Sequence, residues 1–237
     1  MATSICIIGS EGFVGSAINE TFSQNSNFKI FSVNRKNYQD MSKKEYDILI
    51  DCSGNSKKYL SDKDFEKEFQ ESALKKIKIL KDFKHCKHVH ISSVDVYPFI
   101  HDTTLTVETA DILHNIKDLS KYGFHKYLTE EITKFYSDNW LIFRLSGMVG
   151  KNLVKNPVFD ILSGRKIHIH PDSKYQFINT NVVSKIIYDL TTEFEIKNNI
   201  FNIAGSGLIS PRQIAEVAKK ELVFEREVKE LRPRIVN

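Results

Sequence analysis

The sequence predicts an α/β fold in which a doubly wound parallel sheet carries helices on both faces. Two observations predict it. Short apolar runs alternate with amphipathic stretches along the chain, and three glycines sit between the first run and the first helix. With 237 residues, 41% hydrophobic and 27% charged, the chain can bury one large core and still cover it with polar groups.

The elements follow in order. "SICII" is a strand and "VGSAINETFSQ" the helix after it; "FKIFSV" and "DILIDC" are the next two strands. "DFEKEFQESALKKIKILKDF" is helical, and "HVHIS" is a fourth strand. "LSKYGFHKYLTEEI" is a helix, "WLIFRL" a strand, "NTNVVSKIIYDLTT" a helix and "NIFNIA" a last strand. Strands that are apolar throughout belong inside a sheet covered on both faces, and right-handed crossovers then favour double winding. From Gly150 onward the pieces are shorter. "SPRQIAEVAKKEL" begins a helix with Ser210 as N-cap, Pro211 at the first helical position and Gln213 in capping-box position. A sheet-forming domain is expected over 1–150 and a smaller portion over 151–237, with 180–204 returning to the sheet.

Composition excludes several functions. The net charge of +4 is spread along the chain, so a nucleic-acid partner is not expected. In "SALKKIKILKDFKHCKH", Leu74, Ile77 and Leu80 recur at helical spacing, which reads the lysines as a solvated face. No apolar run reaches the ~20 residues of a membrane span. The N-terminus lacks the basic and long apolar regions of a secretory signal. Cys6, Cys52 and Cys86 are odd in number and scattered, which fits a reducing cytoplasm.

The chemistry begins at "GSEGFVG". Gly9 permits a tight turn, Gly12 lets backbone approach a pyrophosphate, and Gly15 lets helix and strand pack closely, with phosphates at the helix N-terminus. This is a Rossmann-like pattern, the alternative being a tight turn without a ligand. The second strand ends in Asn34, Arg35 and Lys36 where NAD sites usually carry an acid. Arg35 and Lys36 suit a 2′-phosphate, so NADP is expected over NAD. "HVHISSVDVYP" delivers Ser92, Ser93 and Asp95 to the ligand edge of the sheet. Tyr122 and Lys126, four apart, share a helix face. A free phenol titrates near ~10, and a neighbouring ammonium favours the phenolate, readying Tyr122 to exchange a proton with a substrate oxygen.

With these pieces in order, the sequence resembles the extended short-chain dehydrogenase/reductases, in the branch of nucleotide-sugar epimerases, dehydratases and reductases. The resemblance runs from Ile5 to about Gly207 and rests on "GSEGFVG", "ISSVDVYP", "YGFHK", "IFRLSGMVG", "FINTNVVSKII" and "FNIAG". It implies an NAD(P)-dependent enzyme with Ser93, Tyr122 and Lys126 as catalytic residues, Lys126 also holding the nicotinamide ribose. It extends the cofactor surface to Ser10, Glu11, Phe13 and Val14 around the glycines, to Cys52, Ser53 and Gly54 after the third strand, and to Ser92. Ser93, Asn152, Asn179 and Arg212 are candidates for substrate contact, Arg212 through a diphosphate or else as a solvated arginine.

Departures narrow the reaction. Where 4,6-dehydratases of the family carry Thr-Asp-Glu, this chain has Ser93, Val94 and Asp95. Val94 removes one carboxyl group, and Asp95 is either a second acid/base for epimerisation or a turn carboxylate. The expected function is a reductase or epimerase of a nucleotide-linked 4-keto sugar. The alternatives are a cofactor-sensing protein without turnover, or a reductase of a small non-sugar carbonyl compound. The resemblance also implies a homodimer built from helices 62–83 and 121–136, unless Phe65, Phe69 and Ile77 all face the sheet. No metal is expected. His85 lies close by in sequence, His88 and His90 are read as alternating strand neighbours on one face at the entry edge of the sheet, His168 and His170 join no acid cluster, and His125 is read as a helix-surface residue.

Overall fold

The structure, a computed structural model, describes residues 2–56, 58–193, 195–225 and 235–236. Its centre is a six-stranded sheet, wholly parallel, in the order β2-β1-β3-β4-β5-β8. The strands are β1 (Thr3–Ile8), β2 (Phe28–Val33), β3 (Glu45–Asp51), β4 (Lys84–Ser93), β5 (Trp140–Leu145) and β8 (Asn199–Ile203). The order reverses between β1 and β3, and such a switch point opens a crevice at the strands' C-terminal ends.

Alternation along β1 divides the core in two. Ile5 and Ile7 face α1 (Phe13–Phe22) and α8 (Thr180–Thr192), packing with Ile18, Phe22, Val183 and Ile187. Cys6 and Ile8 face the opposite side with Leu49, Ile79 and Phe83. The second side carries a short α2 (Tyr38–Met41), then α3 (Lys58–Lys63), α4 (Phe65–Phe69), α5 (Lys75–Asp82) and α6 (Lys121–Tyr136). The helix expected over 62–83 is therefore interrupted, and a π-helical turn at Gln70–Leu74 joins α4 to α5. A wider turn advances the side chains around the axis, re-aiming the residues that follow.

The apolar stripe read from Leu74, Ile77 and Leu80 is corrected here. Leu74 and Ile77 are exposed, as is Phe65, while Glu68, Ser72, Ala73, Lys76, Ile79 and Phe83 face inward. The inward stripe is largely polar because its partners on β3, β4 and α6 are polar. Lys76 is 3% exposed, so the lysines of this segment do not form one solvated face.

The remaining pieces lie beyond β5. β6 (Gly147–Val149) pairs in parallel with β7 (Phe177–Asn179), and α7 (Pro157–Leu162) packs against α9 (Pro211–Ala218) around Ile161, Ile167 and Ile214. The capping box expected at Ser210 and Gln213 is present, with Pro211 in the first turn. Among the described residues no helix is long and apolar enough to cross a membrane.

The turn from β1 into α1 has a steric requirement. A Cβ at Gly15 would lie 2.1 Å from the Gly9 carbonyl oxygen and 2.9 Å from its carbon, and backbone cannot move aside cheaply. Gly15→Ala is expected to destabilise the fold by about 2 kcal/mol or more. Urea unfolding measures this, and an unchanged midpoint would disprove the close packing.

Candidate active site

A crevice of about 980 Å³ runs along the C-terminal ends of the strands. Its walls include Gly9, Glu11, Gly12, Phe13, Val14, Asn34, Arg35, Lys36, Cys52, Ser53 and Gly54 at one end. Ser92, Ser93, Asp95, Tyr122 and Lys126 lie along the same crevice. The structure thus brings together most of the residues singled out from sequence. Ser10 and Gly15 are buried beside the turn and do not line it. Asn152, Asn179 and Arg212 do not line it either. Asn179 caps α8 by accepting from the Asn181 N–H, and Arg212 makes a two-pronged ion pair with Asp172 at 2.7 and 3.1 Å. Asn152, at φ 65°, sits exposed in the turn after β6.

Local sequence explains how Tyr122 and Lys126 are delivered. The Ser120 hydroxyl caps α6 by accepting from the Gly123 N–H, so Tyr122 falls in the first turn and Lys126 one turn later. A Cβ at Gly123 would lie 2.2 Å from the Asp95 carbonyl oxygen, so only glycine lets α6 press against the backbone leaving β4. That contact draws Tyr122 toward Ser93, the last residue of β4. The Tyr122 O–H donates to the Asn55 carbonyl at 3.4 Å. The Lys126 ammonium stands 5.8 Å from the centre of the Tyr122 ring. The Ser93 hydroxyl donates to Asp95 Oδ2 at 2.9 Å. Asp95 is in turn ion-paired with Lys58, whose ammonium is 5.7 Å from the centre of the Tyr122 ring.

Several of these groups were not found from sequence. Lys58 and Asn55 follow the third strand, where crossover residues turn toward the ligand edge, and "SGNSKKYL" could have been read that way. Lys155, before α7, lines the crevice and donates to the Ser56 carbonyl across it. Asn156, at φ 123°, fastens the same loop by donating to the Met148 carbonyl at 2.8 Å.

Behind the crevice the second side of the sheet holds buried polar groups. Glu130 on α6 accepts from Arg144 on β5 at 2.7 Å and from the Ser92 hydroxyl at 2.5 Å. Ser92 thus lines the crevice while directing its hydroxyl inward to Glu130. His125 is corrected: it is buried between Phe69 and Glu68, its Nδ1 against the Glu68 carboxylate. So are His88 and His90, which lie behind the crevice and not at the entry edge. Together with Asp51 they bring three possible metal-ligand atoms within 4.8 Å of one another. The Lys76 ammonium occupies the middle of that group, bonding Asp51 directly and reaching His90 Nδ1 at 2.9 Å and His88 Nε2 at 3.4 Å. A protein cation stands where an ion would.

Burial shapes the titration of these groups. It works to raise the Asp51 carboxyl, but the Lys76 charge outweighs it and holds Asp51 well below the usual carboxylate range. Burial, with the Asp51 charge adding to it, pushes the Cys52 thiol up, so a thiol in the crevice wall stays protonated. Burial first and the Lys76 charge second lower Lys126 to about 8.

The glycine turn, the α1 N-terminus and the adjacent cations form a cradle suited to a phosphate-bearing dinucleotide. The comparisons with known proteins agree on the architecture. No family model matches the chain, and no curated protein matches it in sequence. Solved structures do. UDP-glucose 4-epimerase from Thermotoga maritima, with UDP-glucose, gives a TM-score of 0.77 at 16% identity over 99% of this chain and 89% of its own. The dTDP-4-dehydrorhamnose reductase of Bacillus anthracis, in complex with NADP, gives 0.77 at 17% identity over 99% and 88%. UDP-glucose 4-epimerase from Thermus thermophilus, with NAD, gives 0.72 at 14% identity over 98% and 90%. The chain thus has the Rossmann-like α/β fold of nucleotide-sugar epimerases and reductases.

The lowered Lys126 has a consequence for stability. The folded state releases this proton near 8 and the unfolded chain near 10.5, so between these values the unfolded chain holds more protons. Stability from this group therefore rises with pH across that window. Relative to Lys126→Met, the wild type is expected to gain on the order of 3 kcal/mol from neutral pH to the upper limit. Urea unfolding at a series of pH values measures the gap, and a gap that stays constant refutes the buried ammonium.

Proposed function

We propose that this chain is an NAD(P)-dependent oxidoreductase of the extended short-chain dehydrogenase/reductase type, with NADP favoured. In this reading it acts on a nucleotide-linked sugar, by reduction of a keto group in preference to epimerisation. The observation that carries the proposal is the meeting of Ser93, Tyr122 and Lys126 in one crevice with the glycine turn.

Gly9, Gly12 and the α1 N-terminus would hold the pyrophosphate, and Lys126 the nicotinamide ribose. When bound, the cofactor supplies hydride transfer to or from a carbinol carbon. The remaining work falls to the chain. Tyr122 gives its phenolic proton to the substrate oxygen as a ketone becomes an alcohol, and the Lys126 ammonium beside the ring favours the phenolate left behind. Ser93 swings its hydroxyl from Asp95 to the same oxygen and holds the carbonyl in line.

Two features disfavour water elimination. Val94 supplies no acid, and Asp95 is engaged by both Lys58 and Ser93. That leaves Tyr122 as the proton donor, which suffices for reduction or for an epimerisation that takes a hydride and returns it to the other face; the expected NADP preference favours reduction. NADP is supported by Arg35 and Lys36 at the end of β2. Glu11 argues the other way, because its carboxylate accepts from Asn34 Nδ2 at 2.7 Å and stands where ribose hydroxyls could be received.

The exposed Phe65 and Leu74 beside the π turn, with exposed Phe135 and Tyr136 at the end of α6, support pairing of two copies through these helices. Sedimentation is expected to give a dimer, and a monomer mass independent of concentration rejects the pairing.

Tyr122→Phe is expected to lower reduction of keto sugars by about 100-fold or more while NADPH still binds. Arg35→Ala is expected to weaken NADPH about tenfold and leave NADH nearly unchanged. Cofactor fluorescence and turnover with keto-sugar nucleotides read both. Binding without turnover in either wild type or variant supports the sensing alternative. Preference for NADH reverses the cofactor assignment.

A further inference from the structure

The proposed chemistry leaves unused a fully buried set of ionisable groups behind the crevice: Asp51, Lys76, His88 and His90. Hydrogen-bond directions can be worked out along it. The Thr129 hydroxyl has one proton and donates it to the Lys126 carbonyl at 2.7 Å. His90 Nε2, 2.9 Å from that hydroxyl, must then be the donor between them. His90 is thereby a neutral imidazole with its proton on Nε2, which leaves Nδ1 as the lone pair facing the Lys76 ammonium at 2.9 Å. Asp51 balances Lys76, and through Oδ1 it also accepts from the Ser53 N–H at 2.9 Å and the Ser53 hydroxyl at 2.6 Å in the crevice wall. One continuous path therefore joins the loop after β3 to the turn of α6 that carries Lys126.

We propose that Lys76, held by Asp51 and His90, is a positioning residue for Lys126: it fixes the second turn of α6 through His90 and Thr129 and sets a second positive charge behind the crevice lysine. The role of Lys126 itself rests on the proposed oxidoreductase reading; its electrostatic dependence on Lys76 does not.

The charges that reach Lys126 come from each packed element: Lys76 from α5, Asp51 from β3, Asp95 from the turn after β4, and Glu130 from α6 itself. Of the neighbouring charges Lys76 weighs most, opposing the ammonium where the carboxylates favour it. A lysine so placed gives up its proton more readily than a surface lysine. The device resembles a metal site in outline, with a carboxylate and two imidazoles around a cation, but the cationic nitrogen is covalently part of the chain and cannot diffuse away; burial lowers the Lys76 ammonium, against the Asp51 charge that raises it.

The test uses the full chain with 13C,15N-labelled lysine and histidine, without cofactor or substrate. The Lys126 side-chain signal is assigned by its loss in K126R and followed against pH. Lys76→Met is expected to move the Lys126 midpoint up by about one pH unit. D51N/K76M, which leaves no unpaired buried charge, is expected to move it in the same direction by less, and it decides the matter if the single variant does not fold. A Lys126 midpoint unmoved in a folded D51N/K76M overturns the proposal. So does a wild-type nitrogen spectrum in which His90 is charged at neutral pH or carries its proton on Nδ1, a result that needs no variant. Failure of the wild type to bind NADPH would count against the oxidoreductase reading and leave these measurements intact.

Discussion

The buried pair of Glu130 and Arg144 is the constraint on which the geometry of the crevice depends. Arg144 is 1% exposed and Glu130 0%, so both charges have left water. Desolvation of such a pair costs several kcal/mol, and only good geometry with additional hydrogen bonds offsets it. Both conditions are met. Arg144 donates from Nε and Nη2 to Glu130 and from Nη1 to the Tyr97 hydroxyl at 2.8 Å, while Tyr97 donates to Asn202 Oδ1 at 2.9 Å. Ser92 occupies the remaining side of Glu130. One carboxylate on α6 is thereby tied to β4, to β5 and, through Tyr97, to β8. An amphipathic helix laid on a sheet by apolar contacts alone can shift by a fraction of a turn at little cost. A helix pinned by a two-pronged ion pair cannot, and Tyr122 and Lys126 inherit that fixity.

The two sides of the sheet consequently do different work. The α1/α8 side is an apolar core of isoleucine, valine, leucine and phenylalanine, the largest apolar cluster among the described residues. The α5/α6 side gives up apolar area for polar contacts: Glu68 with His125, Lys76 with Asp51 and His90, Glu130 with Arg144. Each contact is more directional than a methyl group against a methyl group, and each would be severely destabilising if half removed. The side that is less economical in energy is the side that orients the crevice residues. This arrangement fits a scaffold in which one face holds the fold and the other holds a geometry.

That division also sets what could be read from sequence. Apolar strands such as "SICII" and "DILID" announce themselves, because a strand covered on both faces has no alternative composition. The Gly9–Gly15 turn and the Ser210 cap were legible for the same local reason: steric and hydrogen-bond requirements act over a few neighbouring residues. The polar side was not. Lys76, Glu68 and His125 are charged or titratable residues in helices, and the ordinary expectation for each is solvent. Only partners dozens of residues away in sequence make them internal. The inward stripe of α4 and α5 carries Glu68, Ser72 and Lys76, so hydrophobic periodicity points outward there, and the π-helical turn displaces the phase further. Asp95 was recognised but its partner Lys58 was not, since the pairing joins the start of α3 to the turn after β4, whose relative positions no local pattern encodes. Arg212 differs in the opposite direction. A helix start is a reasonable anion site, yet Asp172, brought close by the loop after Ile169, reaches the guanidinium and takes its Nε and Nη2 donors.

The charge distribution around Tyr122 gives the last step. Three ammoniums surround this region, Lys126 and Lys58 near the ring and Lys76 behind, while the adjacent carboxylates Asp51 and Asp95 are each committed to one of them. With its acids neutralised in place, the region stabilises negative charge on an oxygen better than it removes a proton from carbon. Developing charge on a carbonyl oxygen during reduction is the former case; abstraction of a proton from a sugar carbon, as dehydration requires, is the latter. Electrostatics thus argue against dehydration, as Val94 does from sequence, and they do so through different residues. The two arguments are independent, because Val94 concerns a carboxylate that the chain lacks and Lys58 concerns one that it has and holds fast.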